Sequence, residues 1–377
     1  MKNALFLSAA ADVIITVTGT CNNFSEGETR MNIGLKIKQL RLKAGLTQEQ
    51  LAVKLGVSAQ SISKWETAVT MPDISLLPLL SGELGVTIDE IFDLTADQKL
   101  QRIERRLDIE EEFSDGTFRE YESFLKNQLD ESVDDQKPLS LLAHLYHHRM
   151  EADARKVSKY AREAIQLAPG KKDCQWLLQK AEGAVCWDWN LTNHTAIIDF
   201  YKSVIAKDNN VPKSALPYFE VMDNLIADHR TAEARAYLTE YRKLPAHRPF
   251  LVPVYEAYIA LAEYNAQKAD EIMAKALEDF GEDSGFLFES AQYHARKCNY
   301  EKALEFYEAS WNANDVQKPR FTEELHGMAT IYEILNQPVK AIETYDRMIA
   351  CIKEEWGYKD EDAAVTEVER MKKRLQK

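Results

Sequence analysis

In the stretch AQSISKW, Ile62 and Trp65 are apolar and three residues apart, while Ala59, Gln60, Ser63 and Lys64 occupy the positions between and before them. On a helix, Ile62 and Trp65 would turn inward and the other four would point outward together. Nothing on that outer face is apolar beyond a methyl. A Gln amide and a Lys ammonium can read major-groove base edges, the first on adenine and the second on guanine.

The flanking sequence predicts elements that would present this face. Thr47 followed three residues later by Gln50 is a capping-box signature, and Leu51, Ala52 and Leu55 recur at helical spacing behind it. Gly56 supplies a positive-φ stop and Ser58 an N-cap for the next helix, which gives two short helices joined by a tight turn. The methyl of Ala52 lets them approach closely. Ile33, Ile37 and Leu40 form the inner stripe of a preceding helix that stops at Gly45. Leu77, Leu80 and Leu84 form a following stripe that ends at Gly85, and Thr87 caps a last short helix through Ile91 and Phe92. Five short helices can close one small core. From Met31 to Glu66 there are six basic residues, Lys36, Lys38, Arg41, Lys43, Lys54 and Lys64, against Glu49 and Glu66, a local +4 within a chain of formal net charge −14. A basic face suits phosphate, and acidity elsewhere limits nonspecific adhesion.

On IKQLRLKAGLTQEQLAVKLGVSAQSISKWE, Pro72-Asp73 and GVTIDEIF, residues 31–94 resemble the lambda-repressor-like, Xre-type family of bacterial DNA-binding domains. The resemblance implies that Gln48 and Ser61 hold phosphates and that Gln60, Lys64, Ala59 and Ser63 face bases, with Ser58 at the head of the recognition helix. Thr67-Ala68 departs from the family, which often has a glycine in that turn.

With 377 residues, 45% hydrophobic and 29% charged, the chain is long enough for two or three globular parts. The five cysteines, Cys21, Cys174, Cys186, Cys298 and Cys351, are widely spaced and contain no CxxC pair, which suggests neither a disulfide framework nor a zinc cluster and fits a reducing cytoplasm. The first thirty residues imitate a signal peptide, but Asp12 interrupts the apolar run and the run is too short to span a bilayer. Glu26-Gly27-Glu28 can be encoded by a ribosome-binding purine run, so Met31 is the expected start and residues 1–30 a translated leader or disordered extension. Residues 95–137 form an expected helical linker, in which Leu100, Ile103 and Leu107 make a thin stripe suited to a connecting helix or a small dimer contact.

From Pro138 onward, helix-sized segments alternate with short breaks. NYEKALEFYEAS, NAQKADEIMAKA and QPVKAIETYDRM align with Ala303, Ala269 and Ala341 in register, and Ala291, Ala257 and Ala329 stand twelve residues upstream of each. Small residues at that separation are what close packing of paired helices requires. Tyr307, Met273 and Tyr345 follow four residues after the second alanine. Weaker copies centre on Ala234 and on Val157, Ala161, Ala164 and Pro169, and a degenerate one lies near CWDWNLTNHTAIIDFYKSV. The spacings of Ala234, Ala269, Ala303 and Ala341, which are 35, 34 and 38 residues, bracket the tetratricopeptide period. Residues 138–377 thus resemble a tetratricopeptide α-solenoid with five recognisable repeats. Its family frame implies that Tyr146, Arg149, Phe219, Asp223, Tyr258, Gln292, His326 and Glu333 face a ligand groove, unless they simply pack between repeats.

His144, His147 and His148 include an i, i+4 pair but lack a third ligand at metal spacing, and Trp187 and Trp189 around Asp188 suit loop anchoring better than a ligand clamp. No phosphate loop, Ser-His-Asp set or catalytic carboxylate pair is recognisable, so no enzyme, cofactor or metal site is expected. The expected fold class is all-α, a five-helix DNA-binding domain followed by a helical solenoid. The expected function is that of a cytoplasmic bacterial transcriptional regulator, dimeric on double-stranded DNA, whose repeats sense a peptide, protein or other ligand. In architecture it resembles the peptide-responsive regulators of Gram-positive bacteria. The alternative is an interaction scaffold whose repeats recruit a client while the small domain only localises it to DNA.

Overall fold

The computed structural model describes residues 33–92, 95–131, 136–171, 173–183, 194–314 and 318–376. The leader expected at residues 1–30, Cys21, Cys186, and the pair Trp187 and Trp189 lie outside the described residues. Among the described residues every regular element is a helix, and two compact units meet in sequence at Ala154 and Arg155.

The first unit opens with α1 (Ile33–Lys43), α2 (Gln48–Leu55), α3 (Ala59–Glu66), α4 (Leu77–Leu84) and α5 (Ile88–Ile91). Their core is made of Ile33, Ile37, Leu40, Leu51, Ala52, Leu55, Ile62, Trp65, Leu80, Leu84 and Ile91, the stripes that helical periodicity marks, while Leu77 is only half-buried. Gly34 is required here. A Cβ at that position would come within 2.1 Å of the Trp65 carbonyl oxygen, so α1 crosses the end of α3 at backbone contact.

The segment expected as a linker forms a second core. α6 (Ala96–Ile109) and α7 (Asp115–Glu131) pack on the start of α8 (Gln136–Leu167) through Leu100, Ile103, Phe113, Phe118, Tyr121, Leu125, Leu141 and Leu145. The stripe of Leu100 and Ile103 is therefore consumed within the chain, with Leu107 partly buried beside it, and none of it remains for a dimer contact. α8 also corrects the repeat count. Residues 136–167 are one helix of 32 residues, not the hairpin expected around Ala161, because MEADARKVSK between the two expected helices has no glycine, proline or asparagine to stop a helix.

In the second unit, α9 (Asp173–Ala181) and α10 (Thr195–Lys207) precede four helical hairpins: α11 (Leu216–Ala227) with α12 (Thr231–Tyr241), α13 (Leu251–Ala262) with α14 (Ala266–Phe280), α15 (Ser284–Arg296) with α16 (Tyr300–Ala313), and α17 (Glu323–Ile334) with α18 (Pro338–Glu354). Ala234, Ala269, Ala303 and Ala341 are each 0% exposed, as are Ala257, Ala291 and Ala329 twelve residues earlier, so the small-residue register is where paired helices touch. Each hairpin turns through a non-glycine residue in the left-handed region: His229, Tyr264, Cys298 and Asn336, at φ 56°, 61°, 58° and 53°. Each lies five positions before its alanine. The next residue's N–H closes the helix by donating to the carbonyls of Leu225, Ala260, His294 and Tyr332, at 2.8–2.9 Å. The first helices α11, α13 and α15 pack side by side, and α19 (Ala363–Leu375) covers α18 with Val365 and Val368.

Candidate functional site

Two sites follow, one in each unit. In the first, Thr47 caps α2 with the full box: its hydroxyl accepts from the Gln50 N–H at 3.1 Å, and the Gln50 side-chain oxygen accepts from the Thr47 N–H at 2.8 Å. Gly56 ends α2 at φ 66°, and Ser58 caps α3 by accepting from the Ser61 N–H at 3.1 Å. The Ser58 and Ser61 hydroxyls also lie 2.9 Å apart, which joins the two residues at the head of the helix. The outer face is as the sequence predicts. Gln60 and Lys64 are exposed, Ala59, Ser61 and Ser63 are half-buried, and Ile62 and Trp65 are inside.

Arg41 and Gln48 show what helical periodicity cannot. Arg41 is buried and donates from Nε and Nη2 to Glu66 at 2.6 and 3.0 Å, and from Nη1 to the Leu46 carbonyl at 2.7 Å. It does not belong to the basic face. Because Glu66 is buried with it, the local charge is still carried by five lysines against Glu49, the same +4. Gln48 donates at 2.7 Å to Glu66 Oε2, the oxygen that also accepts from Arg41 Nη2, so one of its two amide hydrogens is committed inside the domain. Burial by itself would raise the Glu66 carboxyl, but Arg41 and Gln48 outweigh it and hold the group below the ordinary carboxylate range. Lys54 is paired with Glu83 at 2.5 Å, while Lys38 and Lys43 on α1 and Lys64 on α3 are exposed. Ala68 adopts φ 57°, so the turn after α3 keeps the left-handed geometry without its usual glycine.

In the second unit, Asp223 on α11, Tyr255 and Tyr258 on α13, and Glu289 and Arg296 on α15 converge. The Tyr258 hydroxyl donates to Glu289 at 3.2 Å, and the Arg296 guanidinium lies 4.1 Å over the Tyr258 ring. Burial raises Asp223 to about 6 against the pull of Arg296, and raises Glu289 for the same reason. Both carboxylates are crowded by protein yet still reached by solvent, the condition of groups on the floor of a concave surface.

Of the residues expected in a groove, Asp223 and Tyr258 are brought together here, and Gln292 lies half-buried on the same helix as Arg296. His326 is half-buried on α17, where burial lowers its pKa. Glu333 accepts from the Tyr345 hydroxyl at 2.6 Å and from Arg374 at 2.5 Å, so it fastens α19 to the hairpin before it. Phe219 packs against Tyr241 at 5.2 Å as part of the core. Tyr146 and Arg149 belong to the other unit: Arg149 pairs with Asp115 at 3.0 Å and lies over the Phe118 ring, and Tyr146 donates to Glu122. His148 is spent on the Glu110 carbonyl at 2.6 Å and stacks on Phe113. Sequence reasoning missed Tyr255, Glu289 and Arg296. Their signal was available, since Tyr255 precedes Tyr258 by three and Arg296 follows Glu289 by seven, one face of each first helix.

A family model described as Helix-turn-helix matches residues 37–91. No curated protein matches the sequence significantly. Among solved structures, the chain aligns with Bacillus thuringiensis PlcR in complex with the peptide PapR7 and DNA, at 11% identity over 92% of this chain and 99% of that one, with a TM-score of 0.28. It aligns with the Streptococcus dysgalactiae SHP pheromone receptor Rgg2 at 15% identity over 74% and 98%, TM-score 0.25, and with PrgX of the PrgX/iCF10 complex at 12% over 82% and 98%, TM-score 0.24. Within this chain, the segment 37–91, with its capped α2, its glycine turn and its outward-facing α3, belongs to the helix-turn-helix family.

Proposed function

We propose that the chain is a sequence-specific DNA-binding transcriptional regulator that works as a dimer and whose tetratricopeptide-like repeats sense a ligand. The observation that carries this reading is the outer face of α3. Gln60 and Lys64 stand exposed over a buried Ile62 and Trp65, with Lys38 and Lys43 exposed on α1. That is a short polar helix able to enter a major groove, and the exposed lysines of the same domain suit phosphates.

A single reader of this size makes few base contacts, so selectivity calls for two on half-sites about 34 Å apart. One face of α8 supports self-association. Leu139, Tyr146, Met150, Val157, Tyr160 and Leu167 are all exposed and recur at spacings of seven, four, seven, three and seven, a heptad seam on one continuous helix. The test is sedimentation of the full chain beside a Met150→Glu, Val157→Glu variant, with titration of selected DNA at one fixed salt concentration. The reading expects a dimer that the substitutions separate and a loss of palindrome affinity of about a hundredfold. A monomeric wild-type chain that binds a palindrome as tightly as the variant would leave the repeats as a separate recruiting surface.

A further inference from the structure

We infer that the floor formed by α11, α13 and α15 binds a primary ammonium with an adjoining carbonyl, the chemistry of a peptide amino terminus or of a lysine beside an amide. The inference deepens the ligand-sensing reading above and rests on it. Its anchor is Arg296. This side chain is deeply set among protein atoms, lies over the Tyr258 ring at 4.1 Å and hydrogen-bonds to no described residue. A guanidinium carries five N–H donors, and with no protein acceptor on them they face the solvent-reached floor, open to an incoming acceptor. Here the ring face offsets part of the charge, but it accepts no directional bond.

The groups around Arg296 determine what can accept. Asp223 is held by Tyr255 and Glu289 by Tyr258, and each carboxylate has acceptor capacity left over. Asp223, Glu289 and the neighbouring Glu220 stand against Arg296 and Arg248, which leaves the floor one negative charge in excess. A carboxylate ligand would double that excess in a desolvated place, which rules against an anion. A neutral acceptor satisfies Arg296 but leaves the excess. An ammonium placed between Asp223 and Glu289, with its neighbouring carbonyl on Arg296, uses the free donors, fills the free acceptors and brings the net charge to zero. Tyr255 and Tyr258 add the aromatic faces that a cation favours.

The probes are three libraries of linear heptapeptides passed over the immobilised full-length protein: one with free amino termini, one N-acetylated, and one N-acetylated without Lys or Arg. Enriched peptides are resynthesised and titrated. Enrichment from the first library alone identifies a terminus as the source of the ammonium, and enrichment from the first two identifies a side chain. Asp223→Asn with Glu289→Gln, and separately Arg296→Gln, should weaken the winners by about tenfold or more, with melting curves to show that the variants fold. Affinity should also fall by a few-fold as pH drops through about 6, where Asp223 protonates among Glu220, Tyr255, Glu289 and Arg296. Three outcomes overturn the inference. The third library may enrich as strongly as the first, no library may enrich, or the folded variants may bind like wild type. None of them touches the DNA titration, so a failure here is distinct from a failure of the regulator reading.

Discussion

Glu66→Gln is the substitution that tests most sharply how the reading helix is held. The wild-type carboxylate is 4% exposed and accepts three hydrogen bonds, two from Arg41 and one from Gln48. The glutamine keeps the shape but turns one oxygen into a donor facing other donors, and it leaves the Arg41 guanidinium without a counter-charge. Breaking a buried pair in this way costs about 3–5 kcal/mol. The lower end applies, because one oxygen of the amide still accepts and Arg41 keeps its bond to the Leu46 carbonyl. Against a total stability of about 5–15 kcal/mol for a domain, about 3 kcal/mol is a large share. The assay is hydrogen exchange of the amides of α1 to α3 in the full-length protein, where 3 kcal/mol appears as roughly a hundredfold faster opening. An Arg41→Met, Glu66→Met double substitution should recover most of the loss, since it removes both buried charges together. Exchange of Glu66→Gln within threefold of wild type would refute the view that this pair holds α1 against α3.

Other expectations follow from the same geometry. Trp65→Ala should cost about 3–5 kcal/mol by opening a cavity in a small core, and the repeats should stay helical by circular dichroism. Ala68→Gly should stabilise the first unit by about 1 kcal/mol in a denaturant titration, because Ala68 sits at φ 57° where only glycine is unstrained. Two sets of carboxylates should respond to acid in opposite directions. Glu66 is held below its ordinary value, so its contribution is present above the unfolded pKa of 4.5 and is lost as pH falls further. Asp223 at about 6 and Glu323 at about 7 are raised, so the folded repeats bind these protons more tightly than the unfolded chain and gain stability as pH falls from about 7 to 5. Segment-resolved exchange, corrected for its intrinsic pH dependence, would read both trends.

The sequence carried the periodic information well and the polar partnerships poorly. Every core stripe of α1 to α3 lies where apolar spacing put it, and the alanine register of the hairpins survives at 0% exposure because small residues there have no alternative location. The capping box at Thr47 was legible because its chemistry is local. Arg41 with Glu66 was not: the partners are 25 residues apart, and charge counting places both on the surface. The break expected within α8 failed for a related reason. A repeat pattern says where hairpins should recur, but a turn still needs a residue that stops the helix, and residues 150–159 offer none. At the hairpins that do form, His229, Tyr264 and Cys298 adopt left-handed backbone without being glycine or asparagine, so turn chemistry alone could not find them. Glu289 and Arg296 share a face of α15 that helical spacing could have shown, but their meeting with Asp223 needed the stack itself, since only the lateral packing of α11, α13 and α15 brings it to them.

The measurement that tests the central claim most directly is selection of bound DNA from a random duplex pool by the full-length protein and by its Gln60→Ala and Gln48→Ala variants. The account expects wild type to select an inverted repeat with half-sites about one helical turn apart. Gln60→Ala should lose preference at one base pair per half-site, at a cost of about 1–3 kcal/mol in titrations of the winner. Gln48→Ala should weaken every sequence nearly alike, because the family resemblance assigns Gln48 to a phosphate, which it would meet with the amide hydrogen not committed to Glu66. Selection of no motif by wild type, or an equal loss of base preference in both variants, would contradict the claim that the outer face of α3 reads DNA.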